Sequence, residues 1–276
     1  MVVQHNLTAM NSNRMLGITT KSQAKTTEQL SSGYKINRAA DDAAGLAISE
    51  KMRKQIRGLT QASSNAQDGV SLVQTAEGAM AEVHDMLQRM NELAVKAANG
   101  TSTSADKGNI DDEIKQLQSE INRVSQSTDF NTMKLLNGSF CETLQVGAEN
   151  VAAQQIVISI DNLAASQIGK DKISISGVTC SSANTAKAAI DTIASAIQSL
   201  SKSRSYLGAM QNRLEHTIAN LDNIVENTQA AESAVRDTDM ATTMVKYANN
   251  NILAQAGQAM LAQANQANQG VLSLLG

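Results

Sequence analysis

AQDGVSLVQTAEGAMAEVHDMLQRMNELAVKA, residues 66–97, carries its small and aliphatic side chains at Ala66, Gly69, Val73, Ala76, Met80, Val83, Leu87, Met90, Ala94 and Ala97. The steps alternate between three and four, a mean period of about 3.5. That spacing predicts one long helix whose narrow apolar seam packs against other helices as in a coiled coil. Asn99-Gly100 supplies a helix stop and a turn. A second seam follows at Ile110, Ile114, Leu117, Ile121 and Val124, and the short link predicts antiparallel neighbours. Ser104 stands three residues before Lys107, so no capping box is expected at that residue. Asp111, Asp112 and Glu113 read as negative charge offsetting the dipole near a helix start.

A third seam is the longest. Ile190, Ile193, Ile197, Leu200, Arg204, Leu207, Gln211, Leu214, Ile218, Leu221, Val225, Thr228, Glu232 and Val235 keep the alternation. Such a helix would be roughly 70 Å long, which predicts a rod. Arg204, Gln211 and Glu232 are expected to weaken the seam locally and to fix its register. Between the seams the period changes. Leu144-Gln145-Val146-Gly147 and Gln155–Ile160 alternate at period two and predict a hairpin with its bend near residues 147–153. Lys172–Gly177 alternates likewise and predicts a further short strand, and residues 181–185 read as a polar connector.

Residues 1–32 and 240–275 are rich in Ala, Asn, Gln, Ser and Met. Both are helix-compatible, yet neither has a wide stripe of large apolar residues, so neither is expected to be stable alone. Gly33 punctuates the first end and Arg236-Asp237-Thr238-Asp239 the second. The expected design is nested: ends pair with ends, inner helices with inner helices, and the midpoint forms the far tip. The fold class is therefore mainly α, a long antiparallel helical rod (a coiled-coil-like bundle) with a small β-hairpin region at the chain midpoint.

Composition supports this. The chain has no Pro and no Trp, and its five aromatics are Tyr34, Phe130, Phe140, Tyr206 and Tyr247. Without large rings a wide globular core is hard to fill, and without Pro nothing breaks a long helix sharply. A net charge of −3 gives no basic footprint for nucleic acid. No apolar run is long enough to span a bilayer. The N-terminus has no charged segment followed by an apolar one, so no secretory signal peptide is expected.

No catalytic or metal-binding constellation is found. His5, His84 and His216 have no histidine partner at i,i+4, and no HExxH, GxSxG, GxGxxG or P-loop pattern occurs. Asp41-Asp42 and Asp111-Asp112 are sequence neighbours and point to different helix faces, which argues against a carboxylate dyad. Lys51, Arg53, Lys54 and Arg57 read as a solvated face or a subunit contact. The expectation is a non-enzyme without cofactor or metal.

Several stretches resemble the bacterial flagellins. They are QLSSGYKINRAADDAAGLAIS at 29–49, QDGVSLVQTAEGA at 67–79, LQRMNELAV at 87–95, LGAMQNRLEHTI at 207–218 and QAMLAQANQ at 258–266. The resemblance covers both ends and most of the inner helices, leaving out residues 140–188. It implies an inner core domain from residues 1–42 and 235–276. A middle helical domain would comprise 43–176, with its β-hairpin, and 177–234. The midpoint is too short for the large outer domains of bigger members, so the chain resembles a minimal two-domain member. The implied function is a structural subunit that polymerises with itself into the flagellar filament for swimming. The alternatives are a hook–filament junction protein and a secreted helical adhesin or receptor ligand. The implied partners are the flagellar type III export apparatus, an export chaperone, the filament cap and hook-junction proteins. The implied location is extracellular.

The resemblance also implies that the monomer meets an innate immune receptor, Toll-like receptor five. Arg89 would supply a bidentate charge-assisted contact, Leu93 a hydrophobic anchor and Glu113 a polar clamp. The same surface would pack between subunits in a filament. The chain departs from the family pattern at Asn91, at Ala234-Val235, near Ala267 and at Gly276. Cys141 and Cys180 are unusual for the family. Three states stay open for them: a bridge formed after export, worth about 4 kcal/mol by loop entropy, two buried free thiols, or two exposed reduced thiols.

Overall fold

The computed structural model describes residues 6–169 and 171–275, with residues 268–275 as backbone alone. Residues 1–5 and 276, in the two end segments, and Lys170, in the midpoint connector, lie outside the described residues. The elements are α1 (Leu7–Ser32), α2 (Ala43–Ala98), α3 (Ser104–Ser127), β1 (Asp129–Phe130), β2 (Met133–Lys134), β3 (Cys141–Gln145), β4 (Gln155–Ser159), α4 (Ala183–Arg236) and α5 (Met240–Leu275). They divide into two compact units, one of Met1–Lys54 with Asn227–Gly276, the other Gln55–Glu226.

In the Gln55–Glu226 unit the α2 seam behaves as its period requires. Ala66, Gly69, Val73, Ala76, Met80, Val83, Leu87, Met90, Ala94 and Ala97 are all buried. They share one core with α3, α4 and the hairpin. Helix α4 runs antiparallel to α2: Ser63 Oγ donates to Asp222 Oδ1 at 3.0 Å, and Arg204 pairs with Glu77 at 3.7 Å. Gly69 lets Leu144 of β3 and Leu214 of α4 close onto the α2 backbone.

The α4 seam differs from expectation in its phase. Its buried residues are Ala186, Ala189, Ile193, Ala196, Leu200, Ser203, Leu207, Met210, Leu214 and Leu221, with Ser199 beside them. Ile197, Arg204 and Gln211 sit beside the seam, half-buried. The helix turns Ala196, Ser203 and Met210 inward instead. The Arg204 side chain stays a third exposed and reaches Glu77, although its Nε is buried without a hydrogen-bond partner.

Helix α3 is capped by Thr103, one residue before Ser104. Thr103 Oγ1 accepts from the Asp106 N–H at 3.2 Å, and Asp106 Oδ2 accepts from the Thr103 N–H at 3.0 Å. A reciprocal capping box therefore does form. Asp106, not Asp111, occupies the first turn.

The predicted hairpin is present, with β3 and β4 antiparallel and Leu144 opposite Ile156. A second, two-residue ladder, β1–β2, closes through Asn131 and Thr132, both at positive φ (48° and 66°). The left-handed pair is the turn that matches strand twist. Its Asn-Thr sequence lacks the usual glycine, which hid it. Lys172–Gly177 is not a strand. Only an isolated bridge, Ile168 to Ile173, forms there; the Ile175 and Ser176 N–H groups both donate to the Ala165 carbonyl, and the Gln118 side chain donates to the carbonyls of Ile175 and Val178 at 2.8 and 3.0 Å.

In the terminal unit α1 and α5 pack side by side and antiparallel. The Asn6 side chain donates to the Ala264 carbonyl at 3.0 Å, and Asn250 donates to Ser22 Oγ at 3.1 Å. Among the described side chains of these two helices only Thr26, Thr243 and Ala254 are buried, so their shared seam is thin.

Gly169 has φ 67°, and a Cβ there would stand 2.5 Å from Ser199 Oγ and 3.2 Å from the Ser199 carbonyl carbon of α4. Gly169→Ala should therefore destabilise the Gln55–Glu226 unit by about 2 kcal/mol or more, combining left-handed strain with the clash. A urea melt of the purified monomer, followed by helical circular dichroism, checks this.

Candidate functional site

The terminal helices leave large apolar side chains in solvent. On α1 these are Leu7, Met10, Met15 and Ile18, and on α5 Met240, Met244, Val245, Ile252, Leu253 and Met260. Such a concentration of exposed apolar side chains on two adjacent helices is the signature of a surface that another molecule covers. The thin seam between α1 and α5 leaves these side chains outside it; its buried members among the described side chains are Thr26, Thr243 and Ala254, with Leu16 packed on Gly257.

Where α1 ends and α5 begins, the chain is clamped by polar contacts. Gly33 caps α1 in the left-handed region at φ 77°. The Lys35 N–H donates to the Arg236 carbonyl at 2.7 Å, and the Thr238 N–H to the Gly33 carbonyl at 3.0 Å. The Arg236 guanidinium lies over the Tyr34 ring at 4.6 Å and donates to Glu50 at 3.1 Å. Arg53 pairs with Glu232 at 3.1 Å. The two punctuation signals of the sequence, Gly33 and Arg236–Asp239, thus meet at one place. Glu232, expected within the α4 seam, serves as the Arg53 partner.

A concave surface lies at the α2–α3 turn. It is a cavity of about 560 Å³ whose lining includes Arg89, Leu93, Ile110 and Glu113. Arg89 Nε donates to Glu113 Oε1 at 3.0 Å and Nη1 to Glu92 Oε2 at 3.2 Å. The Glu113 carboxylate, then Glu92, holds the Arg89 guanidinium above its ordinary range. The three residues singled out in sequence are therefore brought together, but Leu93 is only 3% exposed. It belongs to the α2 core and shapes the cavity wall; it does not project as an anchor. The a/d pattern missed it because it adjoins Ala94 on the broader buried face.

The family model of the bacterial flagellin N-terminal helical region matches residues 3–141, and that of the C-terminal helical region matches residues 190–275. The chain belongs to the bacterial flagellin family. Flagellin of Halalkalibacterium halodurans is 53% identical over 276 residues, covering 100% of both chains. The flagellar filament 31.3 kDa core protein of Treponema maltophilum is 47% identical over 289 aligned residues, again covering 100% of both. Among solved structures, Bacillus cereus flagellin aligns with a TM-score of 0.50 at 26% identity, over 57% of this chain and 88% of that one. Members of this family are structural filament proteins, not enzymes.

Sequence reasoning missed the polar residues that hold the midpoint of this flagellin-family chain. On α3, Asp111, Gln118 and Ser125 recur every seven residues and are buried. Asp111 Oδ1 accepts from the Cys180 N–H at 2.7 Å, and Ser125 Oγ donates to the Leu136 carbonyl at 3.0 Å. Asn122 Oδ1 accepts from the Ala165 N–H at 2.8 Å. Burial pushes the Asp111 carboxyl up, but the Lys115 ammonium at 2.8 Å and the Cys180 N–H outweigh it and hold the group below the ordinary aspartate range. Asp111 is thus a partner for irregular backbone rather than dipole charge. A heptad-spaced polar stripe on a helix was the signal that could have revealed these residues.

Cys141 and Cys180 are free thiols, the first exposed and the second buried. No bridge joins them in this structure. Burial, then the Asp111 charge, pushes the Cys180 thiol up, which keeps it protonated and unreactive.

Asp111→Ala should cost about 1–3 kcal/mol at pH 7, because the buried Cys180 N–H loses its acceptor. The Asp111 carboxyl is depressed in the folded chain, so its contribution is complete above the unfolded value and fades as pH falls below about 4. The gap between parent and variant in denaturant melts should narrow in that acid window and stay constant from pH 5 to 8.

Proposed function

We propose that the chain is the repeating subunit of an extracellular flagellar filament, assembled through its two terminal helices. Support comes from the filament-protein names of full-length relatives and from the exposed apolar side chains on α1 and α5. Residues 1–42 and 235–276 would form the inner core of the filament. Residues 43–176 and 177–234 would form the layer outside it. The chain would leave the cell through the flagellar export apparatus with its chaperone. It would add between the hook-junction proteins and the filament cap.

The mechanism is coupled docking. Each large apolar side chain covered by a neighbouring subunit contributes roughly 1.5–3 kcal/mol. This is offset by the entropy of holding the ends in one arrangement. Repetition along the filament multiplies a weak contact into a rigid tube. The carrying observation is that ten exposed large apolar side chains lie on the described parts of α1 and α5, which the paired helices leave uncovered.

Removing residues 1–32 should leave a soluble helical monomer that no longer elongates filament seeds. Electron micrographs showing normal filaments from that truncation would overturn the assembly reading.

A second reading concerns the α2–α3 cavity, where Arg89 and Glu113 face solvent as one ion pair. We propose it as the place where an innate immune receptor, Toll-like receptor five, meets the free monomer. Arg89 and Glu113 would make the polar contacts and Leu93 would hold the wall rigid. Arg89→Ala should lower receptor-reporter activation by monomer at least about tenfold, the scale for losing a charge-assisted pair at an interface. It should leave the thermal melt nearly unchanged, because the pair is solvent-exposed. Undiminished activation would remove Arg89 from the site.

A further inference from the structure

Half of the exposed large apolar side chains on the described parts of the terminal helices are thioethers. Of the ten exposed large apolar side chains on the described parts of α1 and α5, five are methionines. Met10 is 64% exposed, Met15 50%, Met240 49%, Met244 57% and Met260 59%. Elsewhere the pattern reverses. Met80, Met90 and Met210 lie inside the core of the Gln55–Glu226 unit, and Met52 and Met86 are half-buried. Among the described residues only Met133, on β2, is exposed outside the terminal helices. Leu or Ile would present comparable apolar area at the five positions. Methionine alone adds a reaction, because its sulfur can be oxidised reversibly under mild conditions.

We infer that these five methionines make the docking face of the unassembled chain a reversible oxidation gate. The inference rests on the self-assembly reading above. The oxidant is of the peroxide class. The thioether sulfur attacks one peroxide oxygen, the O–O bond breaks and an S–O bond forms. Sulfur loses two electrons, and the other peroxide oxygen leaves as water. Reversal takes a reductase with two thiols, which return the two electrons, carry the oxygen off as water and become a disulfide. The sulfoxide oxygen is a strong acceptor in place of an apolar sulfur. Covering it with a neighbouring apolar helix leaves it without a donor, at the cost of any buried unpaired polar group. The gate acts before docking, since a docked neighbour shields the same sulfurs. The core methionines are out of reach, so the Gln55–Glu226 unit keeps its fold while the ends lose their competence.

The test uses the full-length chain without substitutions. Monomer is treated with dilute hydrogen peroxide until about one oxygen is added per chain, then offered to filament seeds. Filaments and the soluble remainder are separated, and sulfoxide at each methionine is quantified by peptide mass spectrometry. Sulfoxide at Met10, Met15, Met240, Met244 and Met260 should be about tenfold richer in the soluble remainder, whereas sulfoxide at Met133 should divide evenly. Treating the remainder with methionine sulfoxide reductases of both stereospecificities should restore elongation. Equal partition of the terminal sulfoxides, or a remainder that stays inert after reduction, would overturn the gate. Untreated monomer that never elongates seeds would bring down the assembly reading, and the gate with it.

Discussion

The apolar seam of α2 is the interaction on which the Gln55–Glu226 unit depends. It is narrow, built from Ala, Gly, Val, Met and Leu, and it faces α3, α4 and the β3–β4 hairpin in a single core. Small side chains let backbones approach closely, and Gly69 admits Leu144 and Leu214 against the helix itself. A chain with five aromatics cannot fill a wide core. It can fill a long thin one, and length then supplies the buried area that width does not.

The same economy of large side chains has the opposite outcome in the terminal unit. There α1 and α5 share a seam of Thr26, Thr243 and Ala254, joined by hydrogen bonds from Asn6 and Asn250. Most of the large Leu, Ile, Val and Met side chains on the described parts of these helices point outward, while Leu16 packs on Gly257. The polar clamp around Tyr34, Arg236 and Glu50 ties the inner ends of the pair together. Stability is thereby divided in two kinds. One unit is satisfied within the chain, and the other holds apolar surface in reserve for a neighbour. That division is what a subunit must have if it is to be soluble alone and cohesive in a polymer.

Polar groups inside the Gln55–Glu226 unit serve the backbone more than one another. Between β4 and α4 the chain is irregular, and apart from turns and the Ile168–Ile173 bridge several of its N–H and C=O groups lack ladder partners. Asp111, Gln118 and Asn122 of α3 supply them one by one, and Ser125 does the same for Leu136. Buried backbone groups need such partners at a cost comparable to a lost hydrogen bond. Helix α3 therefore has two working faces, an apolar one toward α2 and a polar one toward the midpoint segment. Only the first has a hydropathy signature, so the candidate residues read from it were half of the truth.

Periodicity by itself determined that this chain makes long helices, where α2 and α3 turn back on each other, and that β3 pairs with β4. It determined, too, that the ends lack a wide apolar stripe. These are local properties, set by spacing along one strand or helix, and a linear sequence displays them fully. Tertiary structure decided which side of the α4 stripe turns inward, moving Arg204 and Gln211 off the seam. It decided that Lys172–Gly177 is held by turns, a single bridge and the Gln118 side chain rather than by a strand ladder, that Leu93 lies in the core, and that Cys180 is buried beside Asp111. Each of those outcomes depends on which distant groups meet. The partner of a polar atom has no period, and only packing names it.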